Sequence, residues 1–433
     1  MEPGVAWSPE QARAVAAQFD LRQLPPDFHA NPYPYYDALR THAPVKRFDD
    51  GSYFLTRYED LVRVYRDTKT FSSDKRREFR PKFGDSPLYE HHTTSLVFRD
   101  PPVHTQVRRL IGGALTPRHV AVMEPGLVAL VEGLLDRVSK RETIDLIDDF
   151  AGAIPVEIIG NLLRVPYEDR GPLRGWSLAI LGALEPTLDE AAAARGNAAV
   201  REMLAYLEDL VADRRRDPGD PETDVLTRLI LGENDGERLG TKDLLHNCIF
   251  LLNAGHETTT NLIGNALVTL CDWPDARAML VDRPEAIETA VEEFLRFESS
   301  NQLGNRITTA PTGIGGIAMP ADTRIWLCIG AANRDPQKFP DPDRLDLRRT
   351  PNRHLAFGSG PHQCVGLTLG RLEARVAISR FLQRFPRYAL SGAPVRGGRV
   401  RFRGFLHAPC RLNPSAADAS NPVTITINGG MTS

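Results

Sequence analysis

A glycine-rich stretch, residues 357–366, carries a single cysteine immediately before an amphipathic helix pattern over 367–385. The stretch is Phe-Gly-Ser-Gly-Pro-His-Gln-Cys-Val-Gly. Glycines have no Cβ, so they let a large flat ligand reach the backbone. Free N–H groups and the helix dipole favour a thiolate at the start of a helix. Cys364 is therefore a candidate for sulfur chemistry.

Cys364 taken alone admits three interpretations: a structural cysteine in a turn, a zinc ligand or a nucleophile. Zinc requires further thiolates or histidines at ligand spacing, and only His354 and His362 lie near it in the sequence. We therefore set zinc aside. A lone loop cysteine is commonly structural, and on this residue alone the structural and nucleophilic interpretations remain open.

A second group of polar residues interrupts an apolar pattern. Residues 243–270 contain no proline and are largely apolar, which predicts one long central helix of about 40 Å. Its middle, 254–261, is Ala-Gly-His-Glu-Thr-Thr-Thr-Asn. Burying an acid and three hydroxyls is costly unless they are satisfied or functional. A threonine that bonds back to a preceding carbonyl and bends the helix is the structural alternative.

Composition limits the class of protein. With 433 residues, 42% of them hydrophobic, the chain can bury a sizeable core. A net charge of −3 gives no basic field, so we expect no nucleic-acid partner. Five scattered cysteines without a C-x-x-C pair suit a reducing compartment, which predicts a cytoplasmic location. No window approaches the roughly 20 apolar residues of a membrane span.

The stretch around the cysteine matches, position for position, the haem-binding signature of the cytochrome P450 superfamily, which this chain resembles. The resemblance implies that Cys364 is the axial ligand of the iron of haem b. It also implies that His362 meets a haem propionate and that Phe357 packs near the sulfur. Gly358 and Gly366 are glycines of the same signature.

The polar middle of the central helix is similar to the oxygen-activation motif of that family. By resemblance, Gly255 makes room over the haem for dioxygen, and Thr258 offers its hydroxyl to the oxygen being activated. Glu257 then occupies the acid position and passes protons inward.

Three other positions match the family's propionate-binding residues. The helix predicted from Pro102 onward places His104 and Arg108 one turn apart on one face. Such pairs usually decorate a surface, but the resemblance assigns both to a propionate. Arg306 matches a further arginine with that role, and arginine suits carboxylates through its two-pronged guanidinium.

A charged pair and a meander complete the resemblance. Glu293 and Arg296, three residues apart on a predicted helix, match a buried pair that is tied to an arginine of a later Pro/Asp-rich meander. That arginine is expected to be Arg344. The chain departs from the family pattern at 299–301, where Ser-Ser-Asn replaces a frequent proline.

An irregular segment is expected over 71–98 because of its charges, prolines and glycines, and long loops of this kind are often lids or binding loops. It contains a basic run: Lys75, Arg76, Arg77, Arg80 and Lys82. Such runs are more often a solvated face. The alternative is that this run receives the carboxylate of a substrate.

The resemblance covers 31–413 and predicts one large haem-thiolate monooxygenase domain, mostly α with a small β-rich portion and a long central helix over the haem. Residues 1–30 are set apart as an N-terminal extension. Residues 414–433 are predicted to be a disordered tail because they are rich in Ser, Ala, Asn and Gly.

The resemblance implies a monomeric enzyme that inserts one oxygen atom from O₂ into a small apolar molecule, with electrons from a ferredoxin and its reductase. The partner is expected on the cysteine side, near basic residues: Arg109, Arg118, Arg353 and Arg371. A haem-thiolate enzyme without monooxygenation, such as a peroxygenase, dehydratase or coupling catalyst, is one alternative, and the Glu257-Thr258 pair argues against it. A haem- or ligand-binding protein without turnover is another.

Overall fold

The structure is a computed structural model that describes residues 7–221, 224–234, 237–414 and 426–427. The α-helices, numbered along the chain, are α1 Pro9–Gln18, α2 Tyr33–His42, α3 Tyr58–Arg66, α4 Arg76–Phe83, α5 Pro87–Thr94, α6 Val103–Ala114, α7 Pro117–Val138, α8 Ala153–Leu162, α9 Leu173–Gly182, α10 Glu190–Arg216, α11 Val225–Leu231, α12 Thr241–Asp272, α13 Pro274–Asp282, α14 Ile287–Phe297, α15 Ile329–Ala332 and α16 Leu367–Arg384.

The strands are short and form a minor part of the chain. They are β1 Val45–Arg47, β2 Tyr53–Leu55, β3 Phe71–Ser72, β4 Thr143–Asp145, β5 Glu233–Asn234, β6 Glu237–Arg238, β7 Leu303–Thr308, β8 Thr312–Ile314, β9 Ile317–Met319, β10 Arg324–Cys328, β11 Ala389–Leu390, β12 Val395–Arg396, β13 Phe405–His407, β14 Pro409–Arg411 and β15 Thr426–Ile427.

The largest sheet has the strand order β1-β2-β10-β7-β3, in which only the β2–β10 pair is parallel. Two three-stranded sheets have the orders β11-β14-β4 and β13-β12-β15. The predicted fold class, mostly α with a small β-rich portion, is confirmed.

Helix α12 lies at the centre of the helical part. It extends two residues beyond the predicted 243–270 at each end and packs against α8, α9, α10 and α16. Burial on all sides explains why its sequence is apolar all round rather than amphipathic. At about 1.5 Å per residue its 32 residues span about 48 Å, so one element reaches across the whole core.

The prediction of an irregular segment over 71–98 is wrong, because most of this segment is helical, in α4 and α5. Helix α5 begins with a standard signal: Ser86 accepts a hydrogen bond from the Tyr89 backbone N–H, and Pro87 occupies the first turn. Helix α4 has no side-chain cap and contains a proline, so its sequence looks irregular. Its buried side chains, Phe79 and Phe83, stabilise it through tertiary packing.

Residues 7–30 pack as part of the domain. Phe19 and Phe28 are buried in one cluster with Tyr36 and Phe54, so the segment set apart as an N-terminal extension contributes core side chains. Most of the predicted tail, 414–433, lies outside the described residues. Its described pair, Thr426 and Ile427, forms strand β15 and runs parallel to β12.

The predicted Glu293–Arg296 pair is fully buried and closes with Nη2 and Oε1 2.7 Å apart. The meander residue that ties it down is Arg349 and not Arg344. The Arg349 Nε donates to both Glu293 carboxylate oxygens at 3.2 Å, whereas Arg344 contributes only its backbone carbonyl to Arg296. The expectation was wrong because several arginines lie within this meander and sequence order does not show which one turns inward.

Among the described helices, none combines the length and the apolar character that crossing a bilayer requires.

Candidate active site

The middle of α12 has one open face. Although nearly every residue between 244 and 270 is buried, Phe250, Ala254, Gly255 and Thr258 are partly accessible. Positions 250, 254 and 258 are four residues apart, so they share one side of the helix. An accessible stripe inside a buried helix means that α12 borders an internal space there, at the predicted oxygen-activation motif.

Thr258 lies on that open face and is partly satisfied within the helix. Its Oγ1 donates a hydrogen bond to the Ala254 carbonyl at 2.8 Å, the back-bond that the structural alternative anticipates. A hydroxyl has one proton and two lone pairs. The lone pairs therefore remain free to accept a hydrogen bond from the open side, so the back-bond and a functional role are compatible.

Gly255 makes room for packing between α12 and α8. A Cβ built on Gly255 would contact Ile159 of α8, with the Ile159 Cδ1 closest and Cγ1 at 2.9 Å. Ile159 is 4% exposed and cannot move away freely. The missing side chain thus lets α12 and α8 approach closely, and the role of Gly255 over the haem stays a prediction.

The loop that carries Cys364 is folded back on itself. The Cys364 backbone N–H donates to the Phe357 carbonyl at 2.8 Å, and Gly358 and Gly360 adopt left-handed φ values of 67° and 70°. A Cβ on Gly360 would lie 2.5 Å from the backbone oxygen of Tyr65. Both glycines are therefore required by the turn itself, and the loop is held against α3.

The Cys364 side chain is only partly accessible and lies directly before α16. Burial raises the pKa of the thiol, while the Gly366 backbone N–H and the side chains of Arg108 and Arg371 act in the opposite direction. The helix start alone thus does not produce a thiolate here. A bound metal ion would, because a coordinating thiol is deprotonated.

Four predicted anion-binding residues meet on one side of this loop. The rings of His104 and His362 lie 3.9 Å apart between centroids, although 258 residues separate them. Both ring nitrogens of His104, Nε2 of His362 and Nε of the buried Arg306 have no hydrogen-bond partner within the described part of the chain. Arg108 lies close enough to act electrostatically on His104 and on Cys364.

The histidines of this cluster are held neutral. Burial, reinforced by the neighbouring cations, lowers the pKa of His104 to about 4 and that of His362 to about 2. Arg306 lies over the Tyr65 ring, with 5.3 Å from Cζ to the ring centroid, and donates to the Asn305 carbonyl. Buried nitrogens without acceptors are costly unless an anion binds them. His104, Arg306 and His362 therefore form an electropositive cradle for an anion beside Cys364.

Glu257 is buried and ion-paired on one oxygen only. Its Oε1 is bound by Nη1 of Arg399, and its Oε2 has no partner among the described residues. Burial raises the pKa of this carboxyl, and Arg399 opposes the shift. Glu257, His256 and Arg399 line a small cavity of about 40 Å³, which is large enough for a water molecule.

Comparison with known proteins decides the family. The cytochrome P450 family model matches residues 184–283 and 285–391. The biotin biosynthesis cytochrome P450 of Bacillus subtilis is 35% identical over 83% of this chain and 90% of its own length. The vitamin D(3) 25-hydroxylase of Pseudonocardia autotrophica is 36% identical over 90% of this chain and 96% of its own. The chain belongs to the cytochrome P450 family.

A solved cytochrome P450 has the same fold. The structure of P450BioI in complex with hexadec-9Z-enoic acid ligated acyl carrier protein superposes with a TM-score of 0.85 at 33% identity, covering 89% of this chain and all of that one. The present cytochrome P450 is a haem monooxygenase that uses haem b.

The residues of this cytochrome P450 fit haem b. The cofactor offers two carboxylates and an iron atom, and the unpartnered nitrogens of His104, Arg306 and His362 form a cradle for carboxylates next to a cysteine. Arginine and histidine donors match carboxylate oxygens, and a thiolate matches iron.

Three further residues of the site were not found from the sequence. Arg399 binds Glu257 but lies 142 residues after it in the sequence, so no local sequence pattern connects the two. Tyr65, one of two tyrosines in an ordinary amphipathic helix, lies between the cysteine loop and Arg306. Lys75 is fully buried beside Arg306 and His362; the basic run that contains it was recognised, but not which of its members face inward.

Proposed function

We propose that Cys364 would supply the thiolate that binds the haem iron in this monooxygenase. The observation that carries the proposal is the position of its sulfur: it stands alone at the start of α16, on a loop fixed by Tyr65, beside the unpartnered cradle formed by His104, Arg306 and His362. The other described cysteines are free and lie elsewhere in the fold.

The test is Cys364→Ser, with Cys271→Ser as the matched control. The reduced, carbonyl-bound wild-type protein should show the red-shifted Soret band of thiolate haem. Cys364→Ser should lose that band, whereas Cys271→Ser should keep it. A wild-type spectrum typical of histidine ligation, or an unchanged band in Cys364→Ser, would reject the assignment.

Haem b supplies the reduction and cleavage of O₂ and the transfer of one oxygen atom to the substrate. The protein's part is to exclude water, to orient the reactants and to move protons. We propose that Glu257 Oε2 takes up and releases those protons, since burial raises the pKa of this carboxyl and Oε2 has no partner among the described residues. The Thr258 hydroxyl on the open face of α12 then receives the hydrogen bond that guides proton transfer.

His104, Arg108, Arg306 and His362 are proposed to hold the propionates. Phe357, Gly358 and Gly366 shape the loop around the sulfur: Phe357 accepts the Cys364 N–H, Gly358 takes a left-handed turn, and Gly366 presents its own N–H to the sulfur. Replacing Arg306 by glutamine should weaken haem retention, which is measured as the haem-to-protein ratio after gel filtration.

We propose a ferredoxin and its reductase as the electron source, with docking on the cysteine side. Arg109, Arg118 and Arg353 are exposed there. Arg371 is a weaker candidate, because its guanidinium binds both Glu292 oxygens at 2.6 and 2.8 Å. Charge reversal at Arg118 and Arg353 should slow the reduction of the haem by the ferredoxin and remove part of the salt dependence of that rate. A reduction rate that changes neither with these substitutions nor with salt would contradict the proposal.

The substrate is proposed to be a small, mostly apolar molecule oxidised by a monomeric enzyme in the cytoplasm. Free cysteines support the reducing compartment. A relative named as a vitamin D(3) hydroxylase and a neighbour solved with a fatty-acyl carrier protein support an apolar substrate. Ligands can be ranked by the spin-state change that each causes in the ferric haem.

A further inference from the structure

The basic run of α4 divides into an outer and an inner set. Arg76, Arg77 and Arg80 are exposed and pair with acids at the surface. Lys75 and Lys82 turn inward. Lys75 is neutralised by Glu78, whose Oε2 lies 3.1 Å from its Nζ, but Lys82 has no ion pair among the described residues. Its Nζ donates to the Glu185 backbone carbonyl at 2.5 Å.

A second cation, Arg401, is also next to Glu185, because its backbone N–H donates to the Glu185 carboxylate. Arg401 is 7% exposed, its Nε has no acceptor in the described part of the chain, and it forms no ion pair there. Its Nη1 donates to the Leu303 carbonyl at 3.2 Å. The Glu185 carboxylate is occupied by backbone N–H groups, those of Val400 at 2.9 Å and Arg401 at 3.1 Å.

Glu78 and Glu185 lie near these cations, but neither forms an ion pair with Lys82 or Arg401. Glu78 is engaged by Lys75 and by the Asn305 amide at 3.1 Å, and Glu185 is held through backbone groups. Lys82 and Arg401 also repel each other: burial, followed by Arg401, lowers the pKa of Lys82 to about 8. Arg401 is buried and Lys82 is half-buried, and cations withdrawn from water without an ion pair are costly, so the arrangement favours a bound anion.

An aromatic wall adjoins the two cations. The His92 ring packs with its centroid 5.8 Å from those of Phe79 and Phe98 and 5.5 Å from that of Phe83. His92 is 2% exposed, and its Nε2 has no partner within the described residues. The Lys82 Nζ lies 5.2 Å from the centroid of the Phe83 ring, so an apolar surface adjoins the cations, the combination that suits an apolar acid.

The cluster borders the haem cradle. Arg401 binds the first residue of β7, the strand that carries Arg306 three positions later. Arg306 and Arg401 both act electrostatically on Lys75, which in turn acts on His362. Strand β7 and Lys75 therefore link the two cations to the residues proposed to bind the propionates.

We propose that Lys82 and Arg401 form a carboxylate subsite that anchors an apolar acid as the substrate. The proposal rests on the proposed monooxygenase site and names its substrate class: a molecule with one carboxylate and a hydrocarbon body that packs on Phe79 and Phe83. The anchored end fixes the distance between the carboxylate and the carbon that is oxidised.

The experiment measures binding of tetradecanoic acid, its methyl ester and 1-tetradecanol to the haem-loaded enzyme, by calorimetry and by the ferric spin-state change. A charge-assisted hydrogen bond is worth about a tenfold to hundredfold change in Kd. We expect the acid to bind at least about tenfold more tightly than the ester and the alcohol. Lys82→Gln and Arg401→Gln should remove that preference and leave the ester's Kd unchanged.

The matched control is Arg80→Gln, on the same helix but exposed and paired with Asp85, which should retain the preference. Lys82→Gln keeps the test valid if the buried Arg401→Gln fails to fold. Equal affinity for acid and ester in the wild type, absence of binding by either, or an unchanged preference in Lys82→Gln would overturn the subsite. The reduced, carbonyl-bound spectrum, recorded in parallel, tests the Cys364 assignment separately.

Discussion

Replacing Gly255 by alanine tests whether this glycine is needed for packing between α12 and α8. The added Cβ would lie 2.9 Å from Ile159 Cγ1 and closer still to Cδ1. Rotation about the Cβ–Cγ1 bond of Ile159 can move Cδ1 but not Cγ1, and Ile159 is buried. Overpacking of this kind costs about 1–3 kcal/mol. Alanine in a helix interior recovers about 1 kcal/mol relative to glycine.

The two effects are separated by a control and a double mutant. Gly133 of α7 is an exposed helical glycine whose Cβ would contact nothing within 4 Å, so Gly133→Ala should stabilise the protein by about 1 kcal/mol. Gly255→Ala should be less favourable than that control by about 1–3 kcal/mol. In an Ile159→Ala background, where both clashing carbons are absent, Gly255→Ala should become stabilising like the control.

The free energy of unfolding of the haem-loaded variants, obtained from denaturant titration, gives the coupling between positions 159 and 255. Neighbouring residues that share a contact couple by about 0.5–3 kcal/mol. A coupling near zero, with Gly255→Ala stabilising in both backgrounds, would refute the packing role and return Gly255 to the role predicted for it above the haem.

Arg349→Ala should destabilise the fold by about 1.5–3 kcal/mol, because the buried Glu293 carboxylate loses its hydrogen bonds from Arg349 but keeps Arg296, whereas Arg344→Ala should change little; equal effects in denaturant titrations would contradict this. Glu373 is buried and its pKa is raised to about 8, so the folded state keeps a proton that the unfolded state releases above pH 4.5. Stability should fall as pH rises between those values, by at most about 1.4 kcal/mol per unit, and Glu373→Gln should abolish that slope. Thr258→Ala should keep the thiolate spectrum and the consumption of reductant while product falls and hydrogen peroxide rises; an unaltered ratio of product to reductant would assign its hydroxyl to helix bending alone.

Long periodic elements and contiguous motifs could be predicted from the sequence. The central helix was placed within two residues at either end, because a proline-free apolar run of that length has few alternatives. The cysteine loop and the positions expected to bind propionates were predicted from the resemblance to the family's motifs, and the structure brings His104, Arg306 and His362 together beside Cys364.

Features decided by tertiary contact could not be predicted. The contact that a side chain at position 255 would make depends on where α8 packs. Which of Arg344 and Arg349 binds Glu293 depends on how the meander folds. Helix α4 is stabilised by the burial of Phe79 and Phe83, which local propensity does not register. Lys82 and Arg77 look equivalent in a basic run, and only the fold separates an inward cation from a solvated one.

The cradle of His104, Arg306 and His362 has a consequence for how much of this protein a cell can maintain. Its buried nitrogens lack hydrogen-bond partners among the described residues, so the polypeptide carries a desolvation penalty that the carboxylates of haem would relieve at the proposed site. A ligand that binds only the native state raises its stability by mass action. Iron limitation or slow porphyrin synthesis should therefore lower the abundance of the enzyme through proteolysis of unloaded chains, before transcription changes. Cofactor supply thereby acts as a quality-control step in biogenesis.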